Sequence, residues 1–365
     1  MNIDFAIIGS TPKAALLACI LAKTHAKSVI LIAQFPHTLR IQRGFDISIS
    51  PITRPQTWQV LKDNISSTIE FLNKTSAKNI NIKTIEKIDP IFVATELRGQ
   101  EALSHIRNMA TGFGFSAEPQ AISERFLSSY KFRDAARLLR RPFFASLNQR
   151  LKNCGVKLIN PAEIKIKNKK DTIDIISKET NFSAKQMILV DDEALQNHLS
   201  EADISNIFIK TSMLGFLTEP IKKMQSPNIF NLDNGLIIHQ RDNGALDCLA
   251  PTNKQTLQNQ ICLMLNDKQK TRLAGKTNFI KLSNPDGAAI FGKIARSRYI
   301  SISNFGITGL FQTPAIARML CKTANKFEQQ YFSALAPNST KHKRQNISQY
   351  CASLQNNNSK NRSDK

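Results

Sequence analysis

A strand, a glycine turn, a helix and a second strand open the chain, and this order constrains the fold more than any other feature. The apolar run Phe5–Gly9 has the residues of a buried strand, and residues 12–22 repeat apolar positions at helical spacing. Residues 28–33 form a second apolar run. Together they predict a βαβ unit, the first element of a Rossmann-like parallel sheet.

The turn after the first strand is the position at which such a unit holds a dinucleotide. The pyrophosphate sits at the helix N-terminus, where free N–H groups and the helix dipole favour negative charge. The usual glycine pattern GxGxxG falls here on Gly9, Thr11 and Ala14, and Gln34 is the polar residue near the end of the second strand. Only the first glycine is kept, so a βαβ unit used purely as scaffold remains open.

Later segments alternate between helical and extended patterns. Pro142 is placed to begin a helix and Gly155 to cap its end. The pairs Asn234-Gly235 and Asn243-Gly244 beside apolar runs predict hairpin turns. Further helices are expected over residues 54–72, 96–109, 142–152, 256–265 and 314–324, and strands over 156–160, 164–167, 172–177, 186–190 and 298–303.

Charge is the most unusual feature of the composition. The 365 residues include 50 Lys and Arg against 28 Asp and Glu, a net charge of +22. This excess favours an anionic partner such as nucleic acid, a phosphate cofactor or an acidic membrane. The abundance of Lys, Asn and Ile is also typical of AT-rich coding sequence, and the sequence does not separate the two explanations. The polar, basic segment 336–365 is expected to be a disordered tail.

Cysteine spacing and the N-terminus bear on the compartment. Six cysteines lie far apart without a CxxC pair, which excludes a zinc ribbon or a redox dithiol of that pattern. The N-terminus lacks the basic and apolar regions of a secretory signal, and the longest uncharged run, residues 299–317, is interrupted by polar residues and proline. A cytoplasmic protein without a transmembrane segment is expected.

Two C-terminal segments carry a resemblance to a known family. The run Pro285-Asp286-Gly287 leads into an apolar stretch that ends at Gly292, and Gly306-Ile-Thr-Gly309-Leu310 is followed by Pro314 and a helix. With the opening βαβ unit, this order resembles the FAD-dependent oxidoreductases of the D-amino-acid oxidase type, which include glycine and sarcosine oxidases. The resemblance implies an α/β fold, in which a Rossmann-like FAD-binding domain with a parallel sheet is interleaved with a mixed or antiparallel-sheet substrate domain. It places the FAD-binding domain at residues 1–55, 135–200 and 275–335, and the substrate domain at 56–134 and 201–274.

The resemblance also assigns site residues. Arg241 matches a substrate-side position, where a guanidinium can hold a carboxylate in bidentate geometry, and Lys276 lies beside the family's late arginine position. The residues implied to contact FAD are Gly9, Ser10, Thr11, Ala14 and Gln34 at the first turn, and Gly306, Ile307, Thr308 and Gly309 at the second.

Several positions depart from the family pattern. Thr277 stands where the family has arginine, and Asp191 stands where a glycine lies against the dinucleotide. A carboxylate beside a pyrophosphate is electrostatically unfavourable. These changes weaken the inference of a cofactor more than the inference of the fold.

Three functions follow as hypotheses. The first is FAD-dependent oxidation of the C–N bond of a small amino acid or secondary amine. The second is an FAD-dependent enzyme that modifies the wobble uridine of tRNA, which the resemblance and the positive charge both favour. The third is a cofactor-free protein that uses the same fold only for binding or assembly.

Overall fold

The fold is described by a computed structural model that covers residues 1–35, 41–75, 83–122, 126–169, 171–177, 180–252, 272–294 and 298–350. Within these ranges the helices are α1 Pro12–Lys23, α2 Pro55–Lys74, α3 Leu97–Gly112, α4 Arg140–Ala145, α5 Leu147–Cys154, α6 Asp192–His198, α7 Glu201–Ile207, α8 Thr313–Leu320, α9 Lys326–Ala334 and α10 Lys341–Gln345.

The strands are β1 Asn2–Ile8, β2 Val29–Ile32, β3 Ile85–Ile88, β4 Ile91–Ala94, β5 Ala117–Pro119, β6 Ser128–Phe132, β7 Ala135–Leu138, β8 Lys157–Ile159, β9 Ile164–Asn168, β10 Ile173–Ser177, β11 Asn181–Leu189, β12 Ile209–Thr218, β13 Asn228–Asn231, β14 Ile237–Gln240, β15 Leu246–Pro251, β16 Leu273–Ser283, β17 Ile290–Lys293 and β18 Ile300–Ser303.

The first sheet contains the predicted βαβ unit. Its strand order is β17-β18-β11-β1-β2-β8, in which the strands from β18 to β8 run parallel to one another and β17 is antiparallel to β18. Strands β9, β10 and β11 form an antiparallel meander on this sheet. Strand β2 is buried throughout, and α1 has a run of nearly continuous buried residues. Burial of both sheet faces explains why β1 and β2 read as continuous apolar runs.

The second sheet is mixed, as expected. Its order is β16-β12-β15-β14-β13-β4-β6-β5, and all of these neighbours are antiparallel except β13 and β4. One face of this sheet packs on the main core, through side chains such as Phe92 and Phe230, and the other face has its own apolar cluster around Phe216. The predicted fold class, a parallel Rossmann-like sheet combined with a mixed sheet, is confirmed.

The predicted glycine turns adopt the backbone that favours glycine. Gly155 ends α5 with φ +73°, and Gly235 and Gly244 lie in the β13–β14 and β14–β15 turns with φ +70° and +85°. An L side chain is strained at such angles, so the Asn-Gly signals were physically informative.

The structure differs from the sequence predictions in two places. The single helix expected over 142–152 is split at Ser146, whose hydroxyl donates to the carbonyl groups of Pro142 and Phe143 and so competes with helix continuation. The first part of the predicted disordered tail contains a short helix, α10, whose Arg344 forms a bidentate ion pair with Asp286. The helix predicted over 256–265 lies outside the described residues.

Each helix in the described ranges is too short or too polar to span the hydrocarbon core of a bilayer.

Candidate functional site

The predicted site lies at the carboxyl ends of β1, β2 and β11, where α1 begins. This is the edge of a parallel sheet at which ligands bind in doubly wound folds. A Cβ on Gly9 would lie 2.5 Å from the Val190 carbonyl oxygen and 3.0 Å from the Ala14 Cβ. Gly9 is therefore required by close packing between β1, α1 and the end of β11.

Thr11 and Ala14 have structural partners in this turn. The Thr11 hydroxyl accepts a hydrogen bond from the Ala14 N–H at 3.4 Å, which makes Thr11 the N-cap of α1. Ala14 itself is fully buried. Pro12, the first helical residue, has no N–H to donate. The Ser10 hydroxyl accepts from the N–H of Gln34, which is exposed.

Asp191 follows β11 and bonds to the start of α1. Its Oδ2 accepts the Ser10 N–H at 2.8 Å, and its Oδ1 accepts the Ala194 N–H at 2.8 Å. The backbone of Asp191 has φ +152°, a region that residues other than glycine adopt only with strain of about 1–3 kcal/mol. Burial raises the pKa of Asp191 to about 7, against the lowering effect of the two N–H donors and of Lys13.

Lys13 connects α1 to the second glycine turn. Its Nζ lies 5.6 Å from the centroid of the Phe305 ring, and a Cβ on Gly309 would lie 3.3 Å from the Lys13 Cδ. Burial lowers the pKa of Lys13, and the nearby carboxylates of Asp191, Asp192 and Asp46 oppose that shift. The two predicted cofactor turns are therefore brought together, with the Lys13 side chain between them.

The second turn is a 3-10 segment, residues 306–312, that leads into α8. Gly306 has φ +59° and open space around a built Cβ. The Ile307 carbonyl accepts the Ile47 N–H at 2.9 Å, and the Thr308 hydroxyl is buried and bonded to Phe305 and Gln312. Glycine is needed at residue 306 for the backbone angle, and the other residues of the turn are held by the chain itself.

The residues at the start of α1 do not fit the pyrophosphate that the resemblance implies. A ligand phosphate needs free N–H donors at this helix end and a neutral or positive surrounding. The Ser10 N–H is already held by a carboxylate, the Ala14 N–H is capped by Thr11, and Pro12 has no donor. Asp191 and Asp192 add negative charge at the same point.

On the second sheet, Arg241 follows β14 and faces Asp247 of β15. The Arg241 Nε donates to Asp247 Oδ2 at 2.6 Å, and Nη2 donates to Oδ1. The side chains are 16% and 4% exposed, so the pair is largely desolvated. The bidentate geometry that could hold a substrate carboxylate is used by a carboxylate of the chain.

Lys276 lies on the other face of this sheet. It is exposed on the edge strand β16 and pairs in register with Phe216, which belongs to the apolar cluster away from the main core. The next residue, Thr277, pairs with Gly215, at which a Cβ would contact the Gln42 carbonyl oxygen at 2.8 Å. Lys276 and Arg241 are therefore not brought together.

His239 occupies the same face as Arg241 and was not singled out by the sequence as a site residue. Its Nδ1 lies 2.9 Å from the Asn228 Oδ1, and its ring packs edge-on against Phe45. Burial lowers the pKa of His239 to about 3, helped by the positive charges of Arg137 and Arg241. A neutral imidazole at this position supplies a hydrogen-bond donor and no charge.

Two further arginines near this face are also paired internally. Arg137 forms an ion pair with Glu86, its partner across the β3–β7 ladder. Arg140 donates from Nε to Asp46 Oδ2 at 2.7 Å. The acidic partners, Glu86 and Asp46, lie far away in the chain, so these pairs could not be recognised from the sequence.

A cavity of about 330 Å³ lies outside this crevice, beside the meander face of the parallel sheet. The rings of His198 and Tyr299 meet edge to face on its wall, and burial lowers the pKa of His198. The remaining lining comes from Ile32, Pro161, Ile164, Ile166 and Asn197. Among the described residues, no cluster of three His, Cys, Asp or Glu side chains could hold a metal ion.

Comparison with known proteins finds the same fold in solved structures of low sequence identity. No protein-family model and no curated protein sequence matches the chain. Among solved structures, L-proline dehydrogenase from P. horikoshii superposes with a TM-score of 0.68 at 12% identity, covering 95% of this chain and 99% of that one. Glycine oxidase from Geobacillus kaustophilus gives 0.67 at 14% identity, with 91% and 98% covered. Iminodiacetate oxidase from Chelativorans sp. BNC1 gives 0.63 at 12% identity, with 87% and 94% covered. The chain has the fold of these enzymes over nearly its whole length.

Proposed function

We propose that this chain keeps an amino-acid oxidase fold but works by binding a partner and not by flavin-dependent oxidation. The observation that carries the proposal is the bond from the Ser10 N–H to Asp191, because it places a carboxylate where a dinucleotide needs a free donor. The substrate side supports the same conclusion. Its arginine, Arg241, is fully engaged with Asp247. Fold alone does not supply activity, since function depends on the site.

Flavin content tests this proposal directly. The protein, purified without added cofactor, is expected to be colourless and to remain so after incubation with FAD and desalting. The measurement is the visible absorption spectrum, with a glycine oxidase treated identically as the positive control. A stoichiometric flavin band in the purified protein would contradict the proposal.

The surface suggests what the partner is. Lys165 and Lys167, which we call the lysine strip, are exposed on one face of the meander strand β9. Asp174, which lies opposite Lys167 on the neighbouring strand β10, forms its ion pair with Lys169, and the charge of Lys167 contributes to lowering the pKa of Asp174. Because the chain has a net charge of +22, we propose that this surface binds a polyanion, and tRNA is the first partner to test.

The salt dependence of the affinity distinguishes binding of a polyanion from association that does not involve phosphate groups. The affinity for labelled tRNA, measured by fluorescence anisotropy, is expected to fall at least tenfold between about 50 and about 200 mM salt, because counterions are released from the phosphates. Changing Lys165 and Lys167 together to Gln is expected to weaken binding and flatten the salt dependence, and changing the ion-paired Lys169 to Gln is the matched control. Absent or salt-independent binding would contradict a tRNA partner.

The second glycine turn favours a second candidate, FAD-dependent oxidation of a small amino acid or secondary amine. Gly306 keeps a left-handed backbone and open space above it, as expected where a ligand approaches the main chain. The three enzymes compared above act, by their names, on proline, glycine and iminodiacetate. Turnover of such amines with a redox dye, by protein that retains flavin, would establish this candidate in place of the first.

A further inference from the structure

Asp191 combines a strained backbone conformation with a carboxylate whose two oxygens both accept hydrogen bonds. The side chain therefore has a role that offsets the cost of the backbone strain. Its φ of +152° is a glycine-type angle, and a glycine would adopt it without strain. Both carboxylate oxygens are used, one by the Ser10 N–H and one by the Ala194 N–H. The carboxylate also lies directly over Gly9, 3.1 Å from a built Cβ. The strain is therefore tied to holding a negative charge at this point.

The point is the N-terminus of α1, a helix of 12 residues. N–H groups and the helix dipole make such a helix end attractive for an anion. In the described chain the anion present there is Asp191 itself. An external phosphate would have to displace this carboxylate from the Ser10 N–H and overcome its charge.

Lys13 is a second, independent feature of the same place. Its ammonium lies over the Phe305 ring and has no hydrogen-bond or ion-pair partner among the described side chains. Burial lowers its pKa, so the ammonium lacks full solvation. A largely enclosed cation without a bonded partner is suited to an anion placed between it and the helix end.

The other charges around this point are accounted for. Asp192 accepts from the Leu282 N–H and the Ser303 hydroxyl and faces Lys281, and Asp46 is paired with Arg140. Of these three carboxylates, only Asp191 accepts the Ser10 N–H, and its removal both frees that N–H and takes away one of the negative charges that act on Lys13.

We infer that Asp191 is a built-in anion, which takes the place of a ligand phosphate at the start of α1 and competes with external phosphate groups for the Ser10 N–H and Lys13. This inference rests on the proposed function, since a chain that carries its own anion here binds no flavin dinucleotide. The inference also means that the groups that would bind a phosphate are still present and are occupied by Asp191. Removal of this one carboxylate therefore makes them available to an external phosphate group.

The test is binding of inorganic pyrophosphate to folded variants, measured by calorimetry and by thermal shift at pH 8. Asp191→Gly removes the carboxylate and relieves the backbone angle, and it is expected to bind pyrophosphate at least tenfold more tightly than the unaltered chain. Asp191→Asn keeps the shape without the charge and is expected to show a smaller gain in the same direction. Asp174→Asn removes a carboxylate on β10, at the end of the sheet away from the start of α1; it is the control and is expected to leave the affinity unchanged. Adding Lys13→Met to Asp191→Gly is expected to abolish the gain.

Protonation provides a second readout. Because the pKa of Asp191 is raised to about 7, the unaltered chain is expected to bind pyrophosphate more tightly at pH 6 than at pH 8, relative to Asp191→Gly at the same two pH values. Dividing each affinity by that of Asp191→Gly at the same pH removes the effect of the protonation of pyrophosphate itself.

The outcomes separate the inference from the proposed function. If Asp191→Gly and Asp191→Asn fold, as circular dichroism shows, and bind pyrophosphate no better than the unaltered chain and Asp174→Asn, the inference is wrong while a colourless protein still supports the proposed function. If the unaltered chain retains FAD, the proposed function fails whatever the variants do with pyrophosphate. Unfolding of the glycine variant leaves the asparagine variant to decide.

Discussion

Replacing Gly99 by alanine is expected to lower the free energy of unfolding by about 3–5 kcal/mol, through overpacking combined with the loss of charged hydrogen bonds. A Cβ on Gly99 would overlap Asp233 Oδ1 and lie 2.8 Å from its Cγ. Asp233 is 3% exposed, and its Oδ2 accepts the Thr95 N–H at 2.5 Å, the Thr95 hydroxyl at 2.9 Å and the Glu96 N–H at 3.1 Å. The alanine can be accommodated only if Asp233 leaves this position, so the start of α3 loses its carboxylate.

The same helix offers a matched control. Gly112 is the last residue of α3, and a built Cβ there meets nothing within 4 Å. Gly112→Ala is therefore expected to be neutral or to stabilise the chain by up to about 1 kcal/mol, through helix propensity and a more restricted unfolded chain. Both variants are compared by urea denaturation. If the two differ by less than about 1 kcal/mol, the Asp233 contact does not carry the energy assigned to it.

A double variant separates the two parts of the effect. In Gly99→Ala combined with Asp233→Ala the overlap is gone but the helix cap is still missing. We expect it to be more stable than Gly99→Ala alone and less stable than the original chain, because removal of a cap costs about 1 kcal/mol. Additive effects of the two changes would show that the residues do not interact.

The sequence predicted well those features of the fold that depend on residues close together in the chain. Period and turn chemistry placed the βαβ unit and the αL glycines at Gly155, Gly235 and Gly244, because each depends on residues close in the chain. Gly9 was also recognised, and its close contact with the Val190 carbonyl gives the reason for it. The departure at Asp191 was recognised as unfavourable for a pyrophosphate, but its bond to Ser10 was not.

What the sequence did not predict depends on contacts between distant segments. Asp46 and Arg140 are 94 residues apart, and Ser10 and Asp191 are 181 apart, so no spacing rule connects them. The face of Lys276 is fixed by the register of β16 against β12, and a shift of one residue would have moved it to the other face. Site roles inferred from residue type therefore needed the structure to decide which cations are already paired.

Asp247→Ala is expected to lower the free energy of unfolding by about 3–5 kcal/mol, the cost of leaving a buried charge without its partner. Asp247 is the acidic partner of Arg241 in a pair that is largely desolvated. The substitution also removes a carboxylate that acts on Arg137. The guanidinium groups of Arg137 and Arg241 then lie near the neutral His239 without this carboxylate. Glu70→Ala, in the exposed pair with Lys74, is the control and is expected to leave the free energy of unfolding nearly unchanged.

The same variant tests whether Arg241 can hold a carboxylate from solution. If it can, acetate or glycine is expected to raise the melting temperature of Asp247→Ala and to leave the original chain unchanged, since the guanidinium is free only in the variant. Arg241→Met combined with Asp247→Leu removes both charges and is expected to be more stable than either single truncation and not to respond to carboxylates. A melting temperature of Asp247→Ala that carboxylates do not change would contradict any substrate-binding role for Arg241. The ion pair with Asp247 would then be the whole function of that arginine.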